Sequence, residues 1–234
     1  MSAIAERYRA VRRQVADAAD AVGRDPSEIT IVAVSKTVGP NAIEQAIRAG
    51  ISDFGENRAQ ELCGKHALFP DVRWHFVGTL QSRKVREVVA AATLIHSVDR
   101  MKVLRKIDEV AAEKGIVQRV LVQVNVSGEE TKHGFHPSDV EGVLARAGDF
   151  PNVLIRGLMT MAPLGPAEQA RPVFRGLAEL FASLRGMRFN GVELEDLSMG
   201  MTNDYMVAVE EGATIIRVGR AIFGEGRMNG RNAR

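Results

Sequence analysis

The chain has 234 residues, 45% hydrophobic and 26% charged, a balance that excludes a disordered, collagen-like or coiled-coil protein and is sufficient for a buried core. Lysine and arginine number 31 against 29 aspartates and glutamates, a formal charge of +2, too even for the phosphate-neutralising surface of a nucleic-acid binder. Cys63 stands alone, which allows neither an intrachain disulfide nor a cysteine zinc site. No apolar run reaches ~18 residues and the N-terminal stretch has no signal-peptide core, so a cytoplasmic protein without membrane contact is expected.

Ile4, Tyr8, Val11, Val15, Ala18 and Val22 follow alternating four- and three-residue steps, the stripe of an amphipathic helix that Gly23 ends. The β-branched run Ile29 to Val34 then reads as a strand covered on both faces. Pro40 opens a helix that Gly50 closes, followed by a strand at Ser52 to Gly55 and a helix at Arg58 to Ala67. Further strands are predicted at Trp74 to Val77, Leu94 to Val98, Arg119 to Val126, Val153 to Met159, Leu194 to Met199 and Thr214 to Val218. Helical patterns alternate with them at 82–92, 99–114, 137–147, 166–184 and 203–211, with Asp99 as an N-cap and Gly115 as a stop. Strands joined by helices pair in parallel. Eight such units imply a closed (β/α)8 TIM-type barrel with an additional N-terminal helix, one domain over residues 1–234. An open doubly wound sheet is the alternative.

Functional groups of a parallel barrel gather where its strands end at their C-termini. Lys36 follows the first strand directly, an amine expected against a low-dielectric wall, where it becomes a nucleophile able to form a Schiff base. The plainer reading is a lysine reaching into water. At the other end of the chain, Ser198-Met-Gly-Met-Thr202 follows the seventh strand and Arg217-Val-Gly-Arg220 ends the eighth. Small residues there suit a phosphate held by backbone N–H groups. A helix entry beside a structural ion pair would use the same residues. Because strands one and eight meet when a barrel closes, the amine and the anion cradle share one mouth.

Val32-Ala-Val-Ser-Lys-Thr37, Phe54-Gly-Glu-Asn-Arg-Ala-Gln-Glu61, Trp74-His-Phe-Val-Gly-Thr-Leu-Gln81, Val124-Asn-Val-Ser-Gly-Glu129, Gly157-Leu-Met159, Ser198-Met-Gly-Met201 and Ile216-Arg-Val-Gly219 with Ile222-Phe-Gly224 form a collinear set. Together they resemble the pyridoxal phosphate homeostasis protein family, related to the barrel domain of bacterial alanine racemase. The resemblance implies that Lys36 carries pyridoxal 5'-phosphate (PLP) as a Schiff base. It implies also that Arg217 faces the pyridine nitrogen, that Ser198 and the backbone of Met199, Gly219 and Arg220 hold the phosphate, and that Asn57 lies near the ring, with His75 at the mouth end of the third strand. Thr202 stands where the family more often has serine and keeps the hydroxyl. Arg83 replaces an asparagine of the pattern Leu-Gln-x-Asn-Lys, and Val38 stands where some relatives have a second lysine. Lys132 matches a family lysine and is a candidate secondary contact.

The implied function is cofactor homeostasis: a monomer that carries or regulates PLP, with PLP-dependent apo-enzymes as partners. The alternative is a weakly active PLP-dependent amino-acid racemase. An arginine beside the pyridine nitrogen disfavours its protonation and restrains carbanion chemistry, and only residues 225–234 follow the last motif, which favours holding over turnover. A barrel enzyme using Lys36 on phosphorylated sugars is a third reading. Met159, Met161, Met199 and Met201 are expected either to line the cofactor ring or to fill core. Cys63 is expected as a packed small side chain, His133 and His136 as loop residues, and Arg227 to Arg234 as a frayed basic end.

Overall fold

In the computed structural model, which describes residues 2–129 and 132–224, strand formation follows the β-branched and alternating runs of the sequence. The strands are β1 (Thr30–Val34), β2 (Asp53–Glu56), β3 (Arg73–Phe76), β4 (Leu94–Val98), β5 (Gln118–Gln123), β6 (Val153–Met159), β7 (Val192–Ser198) and β8 (Ile215–Val218). All pair in parallel in chain order, and β8 returns to β1 with Val32 opposite Arg217 and Ala33 opposite Val218. That last ladder closes the barrel and removes the open-sheet alternative.

The helices are α1 (Ala3–Asp20), α2 (Pro40–Arg48), α3 (Ala59–Leu68), α4 (Val85–Ala91), α5 (Met101–Lys114), α6 (Val140–Ala145), α7 (Ala167–Arg185), α8 (Tyr205–Glu210) and α9 (Arg220–Phe223). Helix α1 starts where the Ser2 hydroxyl accepts the Ala5 N–H, and its buried Ile4, Val11, Val15 and Ala18 pack against the neighbouring helices. Arg7 donates to the Ile222 and Phe223 carbonyls, tying α1 to α9 across the closing seam.

Side chains alternate across each strand. Val32, Leu94, Leu121, Met159 and Ile215, from five different strands, form a small apolar cluster of their own, which strand alternation assigns to the barrel interior. Phe54, Trp74 and Phe76 belong to the larger cluster between strands and helices. There the Phe54 and Trp74 rings lie 5.5 Å apart and the indole N–H donates to the Phe69 carbonyl at 3.0 Å.

Three local expectations are corrected. Strand β5 stops at Gln123 rather than Val126, because Asn125 turns the chain: its side chain donates to the Glu129 carbonyl and its backbone N–H to Phe135. Asp99 does not cap α5; Arg100 is at the cap, and the Asp99 carboxylate instead receives Arg100 and faces His133. Helix α9 adds a short turn after Gly219 that the hydrophobic pattern does not announce. The basic segment Arg227 to Arg234 lies outside the described residues.

At Gly157 the backbone of β7 leaves no room for a side chain on β6: a Cβ there would sit 1.8 Å from the Asp196 carbonyl oxygen. Gly157→Ala is therefore expected to cost about 3 kcal/mol or more of stability, read as a lowered urea midpoint.

Candidate functional site

At the C-terminal rim of the strands a cavity of ≈ 380 Å³ opens among the loops that follow β1, β2, β6, β7 and β8. Lys36, Asn57, Met161, Met201, Thr202, Asp204, Arg217, Gly219 and Arg220 are among its lining residues. Its size falls in the range of small-molecule sites. A larger cavity, ≈ 590 Å³, lies at the opposite end beneath α1, against Tyr8, Arg12, Ser27 and Asp53. Strand-end chemistry favours the first as the functional pocket.

Lys36 stands in a turn, not on the strand. Strand β1 ends at Val34, and Thr37 adopts φ 62°, an uncommon left-handed conformation for a residue with a Cβ. The turn is held from two sides: the Thr37 N–H donates to Glu61 at 3.1 Å, and the Thr37 hydroxyl donates to the Lys36 carbonyl at 2.6 Å. Directly beneath, the fully buried Glu56 accepts the Ser35 hydroxyl at 2.6 Å and the Lys65 ammonium at 2.5 Å, while Lys65 also donates to the Ser35 carbonyl. Lys36 is exposed at the mouth, in a cavity whose lining also includes the apolar Val34, Val77, Met161 and Leu164.

Arg217 projects inward from β8 and is buried. Its guanidinium donates to the Ser198 hydroxyl oxygen at 2.5 Å and to the Thr160 carbonyl at 2.9 Å. Burial pushes it down to about 10, with the Asp204 charge opposing, so it remains a cation at neutral pH. Ser198 Oγ also lies 2.9 Å from His96 Nδ1, His96 Nε2 lies 2.9 Å from His75 Nδ1, and His75 Nε2 lies 3.2 Å from Asp53. Burial, then the neighbouring His75 and Arg217, push His96 well below the usual imidazole range. Burial works to raise Asp53, but hydrogen bonds from His75, Arg73 and Ser52 outweigh it and hold the carboxyl well below the usual carboxylate range.

The loop after β7 is shaped by Gly200, at φ +90° with Ala208 Cβ only 2.5 Å from where its own Cβ would be. Asp204 then closes the loop by accepting the Met201 N–H at 2.6 Å. Burial raises the Asp204 carboxyl, opposed by that N–H and by Arg217.

The profile of the family described as "Alanine racemase, N-terminal domain" matches residues 2–226. The pyridoxal phosphate homeostasis protein of Aquifex aeolicus is 41% identical over 223 residues, covering 94% of this chain and 97% of the relative. The protein of the same name from Pseudomonas aeruginosa is 40% identical over 228 residues, 96% of each chain. This chain belongs to the pyridoxal phosphate homeostasis protein family. PipY of Synechococcus elongatus, solved with PLP bound, superposes with a TM-score of 0.81 at 36% identity, covering 94% of this chain and 100% of that one.

Of the residues singled out in this family member from sequence, Lys36, Asn57, Thr202, Arg217, Gly219 and Arg220 meet around the rim cavity. Three do not line it. Met199 is fully buried and its N–H donates to the Ile215 carbonyl. Ser198 is enclosed between Arg217 and His96. His75 lies inside the barrel, turned toward Asp53 at the start of β2 rather than toward the mouth. Met161 and Met201 line the cavity, whereas Met159 and Met199 are buried in the core. Lys132 lines a separate space of ≈ 220 Å³ with Asn125, His133 and Met161, its ammonium on Glu129 and Ser127. Half-buried Val38 packs on the core, Arg83 binds Gln81, and the half-buried Cys63 thiol donates to the Glu87 carbonyl.

The sequence reading missed Asp53, Thr160 and His96. A histidine at an inward position among Leu94, Ile95 and Val98 of β4 was the available signal; the Thr160 carbonyl carries none.

Three outcomes are expected. Lys65→Met leaves the Glu56 carboxylate buried without its cation and costs about 3–5 kcal/mol by urea denaturation, most of it recovered in the double variant with Glu56→Leu. Gly200→Ala, strained in conformation and crowded by Ala208, loses about 1–3 kcal/mol in the same assay. The stability that Asp53 contributes is fully present above its unfolded value of 3.8 and is lost as pH falls through its lower folded value. The stability gap between the natural protein and Asp53→Asn therefore narrows progressively as the urea titrations are carried below pH 4.

Proposed function

We propose that this protein binds PLP in the rim cavity and serves cofactor homeostasis, holding PLP reversibly as a Schiff base on Lys36. The observation that carries the reading is the meeting of an exposed amine, a buried guanidinium and the Thr202–Arg220 loop pair around one cavity of ≈ 380 Å³. An aldehyde with a phosphate arm needs a reachable amine and an anion cradle on the same side, and this cavity has both. The relatives named for PLP homeostasis and the PLP-bound PipY support the same choice.

When bound, PLP supplies an amine-reactive aldehyde and a conjugated ring that withdraws electrons. Lys36 would present its amine to that aldehyde at the open mouth of the cavity. The Thr202 hydroxyl, the Gly219 backbone and the Arg220 guanidinium would hold the phosphate, and Asn57 would contact the ring. Arg217, fixed by Ser198 and the Thr160 carbonyl, would serve the pyridine nitrogen, where its charge would disfavour protonation of that nitrogen and weaken the ring as an electron sink. Ser198 and His75 act through Arg217 and not on the phosphate.

Racemisation needs a proton donor or acceptor on each face of the reacting carbon. Among the described residues lining the cavity, the amine is Lys36 and the carboxylate is Asp204, which is engaged by the Met201 N–H. Holding and delivery to apo-enzymes therefore fit better than turnover, and exposure of Lys36 leaves its bond open to exchange with other amines.

Borohydride reduction of the PLP-incubated protein followed by peptide mass spectrometry should place a pyridoxyl adduct on Lys36, and Lys36→Ala should remain colourless. An adduct confined to Lys132 overturns the assignment. Sustained conversion of L-alanine to D-alanine by the pure protein replaces homeostasis by catalysis.

A further inference from the structure

The interior of the barrel contains a row of polar side chains running from the rim cavity to its opposite end: Arg217 on β8, Ser198 on β7, His96 on β4, His75 on β3 and Asp53 on β2. Each is buried, and each lies within 3.2 Å of the next. The two ends have fixed polarity. An arginine can only donate and a carboxylate can only accept, and Arg73 and Ser52 keep Asp53 a carboxylate by donating to it.

Working inward from the carboxylate end leaves a single arrangement with neutral rings. Asp53 accepts, so His75 carries its proton on Nε2 and its Nδ1 is bare. His96 therefore donates Nε2–H to His75 Nδ1, which leaves His96 Nδ1 bare to accept the Ser198 hydroxyl proton while Ser198 Oγ accepts from Arg217. Each contact along the row then pairs one donor with one acceptor. Charging His75 would add a cation to an interior that already holds Arg217. It would also turn His96 against Ser198, leaving the serine proton without an acceptor. The charged groups facing the two rings are Asp53 and Asp196 at His75 and Arg217 at His96, with Arg73 and Arg156 paired to the two carboxylates.

We propose that this one-way chain fixes His75 and His96 as neutral Nε2–H tautomers and, by keeping Ser198 an acceptor toward Arg217, positions that guanidinium at the cofactor pocket from the far end of the barrel. His96 and His75 are thus positioning residues that touch no ligand. The proposal rests on the PLP reading only for its consequence at the pocket; the tautomers are a property of the empty protein.

Two measurements separate these parts. Long-range 15N–1H spectra of the histidine rings, recorded on the full chain without PLP at neutral pH and assigned with His75→Gln and His96→Gln, should show both rings neutral with the proton on Nε2. A proton on Nδ1 of either ring, or an imidazolium, overturns the chain. PLP titrations then compare two folded variants, checked by circular dichroism. His96→Asn places an amide oxygen where Nδ1 was, keeps an acceptor for the Ser198 proton and should bind PLP within about twofold of the natural protein. His96→Leu removes the acceptor and should weaken binding about tenfold, the cost of one unsatisfied buried group. Equal affinity in His96→Leu and the natural protein overturns the positioning role. If the natural protein does not bind PLP, the functional reading fails while the tautomer result still decides the chain.

Discussion

The ladder between β1 and β8 is the constraint on which the site depends. It sets Val32 opposite Arg217 and Ala33 opposite Val218, so the amine that follows β1 and the guanidinium within β8 open onto one rim. In a parallel barrel all strands end on the same side, but only the closing pair makes the first and last strands neighbours. A slip of one residue would turn Arg217 from the interior to the helix layer and separate it from Lys36. Helix α1 reinforces the seam through Arg7, whose guanidinium engages the carbonyls of the last turn.

The barrel interior is filled in two different ways. An apolar cluster of Val32, Leu94, Leu121, Met159 and Ile215 packs as an ordinary barrel core. Beside it runs the row from Arg217 to Asp53, a set of groups whose burial is unfavourable unless each finds a partner. The distances show that each does. An apolar filling would serve stability as well or better. The polar row is better understood as a device for orientation, since a fixed acceptor at the far end and paired groups between leave little freedom to the guanidinium at the donor end.

The turn that bears Lys36 is organised on a different principle. Its side chain is free at the mouth while its backbone is clamped by Glu61 and, one layer below, by the Glu56–Lys65 pair on Ser35. The root of the side chain is thus fixed while its end is exposed at the cavity. Both the rigid cation behind and the reachable amine in front follow from where the strands stop.

Much of the architecture was legible in the chain before folding. Alternation of short β-branched runs with amphipathic stretches gave eight strand–helix units, and two strands, Leu94–Val98 and Val153–Met159, have the bounds the pattern predicts. Local spacing also placed Lys36 and Arg217 at strand ends, because hydrophobic periodicity is a property of neighbours in sequence. It could not reveal the turn in which Lys36 sits, since that turn is held by Glu61 of a later helix. Nor could it tell that Met199 is buried, that Ser198 faces Arg217, or that His75 looks down to Asp53. Those facts are set by register between strands far apart in the chain, as His96 and Ser198 are. The sequence by itself determined which residues lie on strands; only closure of the barrel decided which of them touch, because a hydrogen-bond partner is a matter of distance in space and periodicity records none.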